Sequence, residues 1–429
     1  MLLEIVRADA AREKLAAMRA RASQADAKIT EAARAVLDDI RDNGIDAVQK
    51  YSMQFDKAPA REITKEELQA AYDACDVSLR TSLERAAENI RAYHMQKVPA
   101  SWSWDKSEGR TLGQQVRGLD RVGLYVPGGT AAYPSSVLMT AIPARCAGVR
   151  EIVMVTPPTR HLSVAVLAAA KIAGIDRVFA VGGVQAIGAL TYGAGFIPRV
   201  DKLVGPGNAY VAAAKRLVFG KVDIDMVAGP SEVLVLADRT ADARFVAADL
   251  LSQAEHDERA GVILVTDSQK LAEDVACELE RQTVRLSRRD IIVKSVTDFG
   301  AAIVCDDMAQ AVEMANEIAP EHLEIVTENP RALLSGIRNA GAVFLGEWSP
   351  EPLGDYMAGP SHVLPTSGSA RFFSPLGVDS FIKRMSVIEY GREALIDEAR
   401  DILRIAYSEE LTAHANAVEQ RLIREGIDT

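Results

Sequence analysis

A glutamate and a histidine stand side by side in the segment Pro320-Glu321-His322-Leu323-Glu324. A carboxylate can deprotonate water, and an imidazole with a pKa near neutrality can accept and return protons, so this pair could divide the acid–base work of one reaction. Because neighbouring side chains of a strand point to opposite faces, both can serve one site only where the chain is irregular. The competing interpretation is a helix end followed by a surface pair.

A second group of residues could bind a metal ion. Gln253 and His256 are three residues apart on a predicted helix and therefore share one face of it. Asp355 lies in a glycine-rich loop, and His414 lies in a C-terminal helix, five residues after Glu409. Imidazole and carboxylate are ligands that suit Zn²⁺. Their spacing does not show that they converge, so each remains open to interpretation as a structural or solvated polar residue.

Three glycine-rich segments follow predicted strands and precede helices. They are Gly123–Gly129, Gly182-Gly183-Val184-Gln185 and Gly205-Pro206-Gly207-Asn208. Free backbone amides beside a helix N-terminus form an anion site, and three such loops at neighbouring strand ends fit a nucleotide-binding sheet edge. Neither G-x-G-x-x-G nor G-x-x-x-x-G-K-[ST] is present, so tight turns alone remain an alternative.

Alternating strands and helices must position these residues. The apolar runs predict strands at Glu151–Thr156, Arg177–Val181, Lys202–Val204, Glu232–Ala237, Ala260–Thr266, Ala301–Cys305 and Leu323–Thr327, with further β-type runs at 111–118 and 120–126. The helical periodicity predicts helices at Leu162–Ile172, Gln185–Tyr192, Asn208–Val218, Ala241–Glu255 and Lys270–Arg281. Fully apolar strands between helices are typical of parallel sheets that are covered on both faces.

The predicted fold class is α/β, with two tandem Rossmann-like parallel-sheet units. Residues 1 to about 98 show a helical pattern, and residues 391–425 form a helical C-terminal tail. Residues 348–377 are rich in Gly, Pro and Ser, which predicts a segment that is largely loop. A Gly-Pro break at Gly229-Pro230 separates the two α/β patterns.

Composition excludes several classes of protein. The chain has 429 residues, of which 48% are hydrophobic, and a net charge of −11. This excludes global disorder and disfavours non-specific binding to nucleic acid, which depends on Lys and Arg. The cysteines form no C-x-x-C pair, so we expect reduced thiols. The charged N-terminus and the short apolar runs predict a cytoplasmic protein without a signal peptide or a membrane span.

Eight ordered blocks of sequence resemble the histidinol dehydrogenase family. They run from residue 123 into the tail, whereas the helical N-terminus resembles the family less closely. The blocks are Gly123–Gly129, Pro134–Met139, Gly205–Ala209, Ala228–Leu234, Asp249–Asp257, Pro320–Glu324, His362–Thr366 and Leu411–His414. One departure is Ser361, which stands where the family often has Asn, and it concerns the detail of a loop.

The resemblance implies an activity, cofactors and site residues. The activity is the oxidation of L-histidinol to L-histidine through the aldehyde level, the last steps of histidine biosynthesis, with two NAD⁺ and one Zn²⁺. The implied proton acceptors are Glu321 and His322, and the implied metal ligands are Gln253, His256, Asp355 and His414. The implied substrate-binding residues are Ser231, Gln253, His256, His322, Asp355, Glu409 and His414, and the implied nucleotide-binding residues are Tyr125, Gln185 and Asn208.

The resemblance also implies a domain organisation and a partner. The expected domains are an N-terminal helical segment (1–20), a first α/β domain with the zinc and substrate site (21–124 plus 231–376), a nucleotide-binding α/β domain (125–230) and a helical tail (377–429). The family is an intertwined homodimer, so we expect the tail, with Glu409 and His414, to reach the partner subunit. No nucleic-acid or membrane partner is expected.

Other functions remain open on the sequence. A related dehydrogenase could oxidise a different small alcohol, because the shape of the pocket cannot be derived from the sequence. A zinc-dependent hydrolase would need the metal ligands but no nucleotide. A non-catalytic binding module would leave the acid–base pair and the ligand set unused.

Overall fold

The structure is a computed structural model, and it describes residues 2–23, 26–128, 133–158, 162–227 and 229–427. Gly129 of the first glycine-rich segment and Ala228 of the fourth block lie outside the described residues. The chain divides into two compact units. The first unit comprises Met1–Val98 and Leu119–Phe381, and the second comprises Pro99–Gly118 and Ile382–Thr429.

The strands and helices alternate through most of the first unit. The strands are β1 (Ile5–Arg7), β2 (Arg61–Ile63), β3 (Trp102–Ser107), β4 (Arg110–Gly118), β5 (Arg121–Tyr125), β6 (Glu151–Thr156), β7 (Arg177–Ala180), β8 (Lys202–Val204), β9 (Asp223–Ile224), β10 (Glu232–Ala237), β11 (Gly261–Thr266), β12 (Gly300–Val304), β13 (His322–Val326), β14 (Ala342–Leu345) and β15 (Ile382–Tyr390). The helices are α1 (Ala8–Ser23), α2 (Asp26–Tyr51), α3 (Lys65–Ala74), α4 (Val77–His94), α5 (Pro134–Cys146), α6 (Val164–Ala173), α7 (Gly183–Tyr192), α8 (Ala209–Val218), α9 (Ala243–Ala254), α10 (Gln269–Thr283), α11 (Arg289–Phe299), α12 (Met308–Ile318), α13 (Pro330–Leu333), α14 (Glu351–Tyr356), α15 (Arg392–Ser408) and α16 (Thr412–Arg424).

The first sheet has the strand order β2-β7-β6-β5-β8-β9. Its strands are parallel except β2, which pairs antiparallel with β7. Ile40 of α2, Phe179 of β7 and Ile187 of α7 are fully buried in one core cluster on this sheet. The strand order reverses between β5 and β8, which is where ligands bind in open α/β sheets.

The second sheet is parallel throughout, in the order β1-β12-β11-β10-β13-β14. Helices cover both faces, since separate core clusters contain Leu250 of α9 and Ala311 of α12. The apolar strands therefore pack on both sides, as the sequence predicts for a parallel sheet. The predicted α/β fold class, with two parallel-sheet units and helical ends, is confirmed.

The sheets distribute the strands differently from the expected domain boundaries. We expected residues 21–124 to belong with 231–376, but β2 and β5 pair within the first sheet, together with β6 to β9. We expected residues 1–20 to be a helical segment, but β1 pairs with β12 in the second sheet. The helical prediction for residues 1–98 fails at these two strands because each is only three residues long, too short for an alternating pattern.

The second unit consists of a β-hairpin and the tail. β4 lies between β3 and β15 in an antiparallel sheet, and β15 continues into α15 and α16. Arg110 of β4 donates a hydrogen bond to Glu398 of α15 at 2.9 Å, which connects the hairpin to the tail. The sequence predicts the tail helices but not that the hairpin belongs with them.

The four cysteines, Cys75, Cys146, Cys277 and Cys305, are free thiols, as expected. Every helix in the described part of the chain is too short or too polar to span a lipid bilayer.

Candidate active site

The acid–base pair lies at the amino ends of two neighbouring strands of the second sheet. His322 is the first residue of β13, whose register pairs it with Val233 of β10. Ala319, at the end of α12, has a φ of 54°, which turns the chain sharply before Pro320 and Glu321. This irregularity lets Glu321 and His322 face the same neighbour, Glu232, although they are adjacent in sequence. We call this region, defined by Glu232, Glu321 and His322, the acid–base edge.

Both members of the pair bind the backbone of Glu232. The Glu232 amide donates to Glu321 Oε2 at 2.9 Å, and the Glu232 carbonyl oxygen lies 3.1 Å from His322 Nδ1. Since a carbonyl oxygen only accepts, Nδ1 carries the hydrogen and Nε2 carries the lone pair. His322 Nε2 is buried and has no hydrogen-bond partner among the described residues. The tautomer is therefore the one that can accept a proton at Nε2.

Burial governs the protonation of the pair. It lowers the pKa of His322 to about 4, so the ring is neutral at neutral pH. It raises the pKa of Glu321 well above the usual value of a carboxyl, and the hydrogen bond from Glu232 offsets this only in part. Glu321 is 5% exposed and His322 is 4% exposed. Perturbed pairs of this kind are frequent at catalytic sites.

Three residues next to the pair could hold a metal ion. His256, Glu351 and Asp355 place ligand atoms within 4.8 Å of one another. Asp355 Oδ1 also lies 4.0 Å from His322 Nε2, so the cluster adjoins the acid–base edge. Gln253, near the end of α9, has a buried Oε1 without a partner among the described residues. An orphaned buried oxygen, an imidazole and two carboxylates are a donor set that fits Zn²⁺.

Asp355 lies on the short helix α14 rather than in a loop, which corrects the sequence prediction. The helix also presents Glu351, one turn earlier, which the sequence analysis missed. The signal was available: Pro350 precedes two acids at i and i+4, a spacing that puts both on one helix face. Burial and the Asp355 carboxyl raise the pKa of Glu351 to about 8, and Ser252 donates to its Oε2 at 3.1 Å.

His362 and Ser361 connect this cluster to the first sheet. His362 Nδ1 lies 3.7 Å from Asp355 Oδ1, and its Nε2 lies 3.2 Å from the hydroxyl of Ser136 on α5. The Ser361 hydroxyl donates to the carbonyl oxygen of Met139 at 3.2 Å. The serine thus bridges its loop to α5 as a hydroxyl, so the departure noted in the sequence leaves the loop anchored.

Ser231 immediately precedes β10 and is half-buried, with its carbonyl oxygen accepting from the Gly261 amide at 2.9 Å. A cavity of about 400 Å³ adjoins His256, with walls that include Tyr133, Leu138 and Tyr356. The first unit therefore gathers Ser231, Gln253, His256, His322 and Asp355 around the amino ends of β10 and β13. Glu409 and His414 belong to the second unit, where both are exposed.

The predicted nucleotide-binding residues lie at the carboxyl ends of the first sheet. Tyr125 ends β5 and its hydroxyl accepts from the Gly183 amide at 3.1 Å, while burial raises its pKa to about 12. Gln185 is fully buried on the first turn of α7. Asn208 caps α8, with its Oδ1 accepting from the amides of Tyr210 and Val211. We call this region, defined by Tyr125, Gly182, Gly205 and Asn208, the glycine edge.

A buried ion pair holds the third glycine-rich segment. Lys215 of α8 pairs with Asp225, and both side chains are 5% exposed or less. Lys215 Nζ donates to the Gly205 carbonyl at 2.9 Å, and Asp225 Oδ2 accepts from the Gly205 amide at 2.7 Å. Gly205 has a φ of 111°, and a Cβ there would lie 2.2 Å from the Tyr125 carbonyl oxygen. Only glycine fits this position, so the loop stays close to β5.

Comparison with known proteins identifies the family of the chain. The sequence model of the family described as histidinol dehydrogenase matches residues 19–422. The chain belongs to the histidinol dehydrogenase family. It is 50% identical over 408 residues to a histidinol dehydrogenase from Clostridium acetobutylicum, covering 94% of this chain and 95% of that protein. It is 52% identical over 392 residues to one from Bacillus subtilis, covering 90% and 92%.

A solved histidinol dehydrogenase gives the same result for the fold. The crystal structure of the enzyme from Elizabethkingia anophelis superposes with a TM-score of 0.90 at 37% identity, over 94% of each chain. Membership in the histidinol dehydrogenase family confirms the predicted enzyme class, an NAD-dependent dehydrogenase. The open alternatives of a hydrolase and of a non-catalytic module are thereby set aside.

Proposed function

We propose that this protein oxidises L-histidinol to L-histidine through the aldehyde level, reducing two NAD⁺ in turn. The observation that carries the proposal is the buried, unpartnered Nε2 of His322, which faces a cluster of metal-ligand type beside a second base, Glu321. The protein has four free thiols, which suit the reducing cytoplasm, and we propose that it acts there.

The chain's own residues divide the proton transfers. His322 accepts the hydroxyl proton at Nε2 as the carbon gives up its hydride, because its Nδ1 is already committed to the Glu232 carbonyl. Glu321 deprotonates the water that attacks the aldehyde carbon, which gives a hydrate that can lose a second hydride. Bound NAD⁺ supplies the hydride acceptor in both steps.

The proposed zinc ligands are Gln253, His256, Asp355 and His414. The orphaned Gln253 Oε1 and the clustering of His256 with Asp355 support the first three. Zn²⁺ bound there would supply a Lewis-acidic point that orients the imidazole and hydroxyl of the substrate. Ser231, His322 and Glu409 would join the four ligands around the substrate, with the Glu409 carboxylate meeting the substrate ammonium group.

Tyr125, Gln185 and Asn208 are the proposed nucleotide contacts. Their support is their position at the carboxyl ends of β5 and β7 and at the start of α8, around the point where strand order reverses. Glu409 and His414 are proposed to act in the partner subunit of a homodimer, because the tail belongs to a compact unit separate from the one that holds the rest of the site.

The test is a stoichiometric assay. Purified protein with histidinol, NAD⁺ and Zn²⁺ should form two NADH per histidine, counted by absorbance at the NADH band and by amino-acid analysis. One NADH with accumulating aldehyde, or no turnover with histidinol while another small alcohol is oxidised, would contradict the proposal.

A further inference from the structure

The N-terminus of α7 has the form of a phosphate-binding site, but two of its backbone amides already donate hydrogen bonds to other residues of the protein. The Gly183 amide donates to the Tyr125 hydroxyl at 3.1 Å, and the Gly182 amide donates to Asp56 Oδ2 at 3.2 Å. Free amides at a helix N-terminus bind phosphate, whereas amides that already donate to the protein do not. The Gly182 and Gly183 amides are therefore not available to a nucleotide phosphate.

Asp56 comes from a distant part of the sequence. It ends a single turn of π-helix, Ser52–Asp56, that follows α2, and Lys57 in left-handed conformation closes the turn. Its half-buried carboxylate accepts through Oδ2 from both Gly182 and Gln185 Nε2, the latter at 3.0 Å. Oδ1 has no donor among the described residues, and burial raises the pKa of the group. The Oδ1 oxygen is therefore left for a further donor.

Gln185 provides a second acceptor beside the carboxylate. The side chain is fully buried, its Nε2 donates to Asp56, and its Oε1 has no partner among the described residues. A Cβ on Gly183 would lie 2.7 Å from this Oε1, so the oxygen lies directly beside a backbone that carries no side chain. A buried amide oxygen without a partner costs free energy until a donor reaches it.

Two neighbouring acceptors, and two amides that already donate to the protein, define the chemistry of the ligand group that would bind here. A group that binds here must bring hydrogen-bond donors, because both neighbours accept, and no negative charge, because one neighbour is a carboxylate. A phosphate meets neither condition. A ribose diol has this chemistry, because it offers two hydroxyl donors on adjacent carbons and no charge. An acidic side chain serves this purpose in many dinucleotide-binding sheets, where it also rejects a 2′-phosphate.

We propose that Asp56, with Gln185 Oε1, binds the adenosine ribose hydroxyls of the dinucleotide and makes the site selective against a 2′-phosphate. The inference rests on the proposed use of NAD⁺ and adds a specificity-determining residue to it. The position of Asp56 near the end of β7 indicates that it binds the adenosine half of the dinucleotide rather than the nicotinamide half. Ser136, which follows β5, contacts His362 of the candidate active site, whereas β7 lies two strands farther along the sheet, at about 4.8 Å per strand.

The first experiment needs only the wild-type protein. Dissociation constants are measured by calorimetry, without histidinol, for NAD⁺, for NADP⁺ and for the NAD⁺ analogue that lacks the adenosine 2′-hydroxyl. We expect NADP⁺ and the deoxy analogue each to bind roughly 10-fold more weakly than NAD⁺ or worse, the value of one hydrogen bond to a charged group. Equal affinity for all three ligands would overturn the proposal.

The second experiment assigns the selectivity to Asp56. In Asp56→Asn, the new amide oxygen can still accept from Gly182, and a rotated Gln185 amide can still pair with the new amide nitrogen. We expect NAD⁺ to bind roughly 10-fold more weakly and the preference over NADP⁺ and over the deoxy analogue to shrink by a similar factor. The control is Asp46→Asn, an exposed acid on α2 with the same change of charge.

Thermal unfolding and circular dichroism show whether each variant is folded. A folded Asp56→Asn that keeps the wild-type preference would show that Asp56 only caps α7, and it would overturn the proposal. If that variant does not fold, the wild-type comparison still decides whether a diol is recognised. Because binding is measured without histidinol, failure to oxidise histidinol would contradict the proposed function while leaving the nucleotide result readable.

Discussion

The Gly205 loop of the glycine edge and the acid–base edge treat buried charge in opposite ways. At the glycine edge, the buried carboxylate of Asp225 pairs with Lys215 and also accepts from backbone amides. At the acid–base edge, Glu321 and Glu324 are buried with no lysine or arginine paired to them among the described residues, and burial raises the pKa of both. The Asp225 carboxylate thus has a cationic partner, whereas the two acids at the acid–base edge have none in the described part of the chain, and burial favours their protonated forms.

This difference distinguishes a buried charge that fixes the structure from a buried acid that can take part in a reaction. A paired buried charge fixes the shape of a loop, because removing either partner leaves the other uncompensated. An unpaired buried acid fixes little, but a small change in its surroundings moves its proton. The paired charge therefore lies where the Gly205 loop must keep its shape, and the unpaired acids lie where protons would be transferred.

The largest expected effect is that of removing an imidazole from the reactive edge. His256→Ala should abolish turnover and zinc binding while circular dichroism stays unchanged, because the core clusters of the chain do not depend on this side chain. Small zinc domains, in contrast, unfold without their metal. The control is Glu258→Ala, an exposed neighbour. Full activity in metal-free protein would contradict the assignment.

Glu321→Gln should separate the two half-reactions. Oxidation of the alcohol should persist, whereas oxidation of supplied histidinal should fall by about 10²–10⁴-fold, the usual value of general-base help. Since burial raises the pKa of Glu321, its basic form is present only above that pKa, so the wild-type aldehyde step should accelerate as pH rises. Stopped-flow NADH formation on each substrate measures both.

The matched control for this variant is Glu317→Gln, an acid on the preceding helix, α12, whose side chain is 40% exposed. Equal losses on histidinol and on histidinal in Glu321→Gln would mean that the roles are not divided in this way.

Mixed dimers should recover part of the activity if the tail acts in the partner subunit. His256→Ala and His414→Ala are each inactive alone, but a heterodimer unites one intact His256 with one intact His414. Random co-expression gives about half heterodimers with one working site of two, so we expect roughly a quarter of wild-type activity. Differential affinity tags confirm that heterodimers are present, and inactivity in their presence would refute action in trans.

The smallest expected effect concerns stability at the acid–base edge. Burial and the neighbouring Asp249 raise the pKa of Glu324 above its unfolded value of 4.5. The folded state therefore holds the proton more tightly, and stability falls as pH rises from about 4.5 until the folded pKa is passed. Glu324→Gln should remove this loss, so that the free energy of unfolding in urea depends less on pH above pH 5. Each tenfold difference in proton affinity between the folded and unfolded states contributes about 1.4 kcal/mol. A wild-type stability that does not fall over this range would contradict it.

Much of the fold can be predicted from one sequence because the information is local. Strands such as β6 and β10 are continuous apolar runs, and Asn208 is an evident helix cap, so periodicity and capping suffice. The three-residue strands β1 and β2 have no such local pattern. They are fixed by pairing with strands that lie far along the chain.

The same distinction applies to the candidate site. The Glu321-His322 pair and the glycine-rich segments can be recognised by residue type, and the family resemblance added the dispersed ligands. Asp56 could not be predicted, since its partner Gly182 is 126 residues away and nothing near Asp56 marks it. Glu351 was missed although its spacing to Asp355 was informative, because the surrounding glycines and prolines favoured a loop.

The Lys215–Asp225 pair limits how this protein can evolve. The two residues are ten positions apart and both contact Gly205, so either substitution alone strands a buried charge, at a cost of about 3–5 kcal/mol. Replacing both with apolar residues removes the unpaired charge but also takes these partners from the Gly205 amide and carbonyl, so the sequences are separated by less stable intermediates. A double-mutant cycle followed by urea unfolding would measure the free energy of unfolding lost in each single variant. It would thus show how strongly the residue at one position constrains substitution at the other.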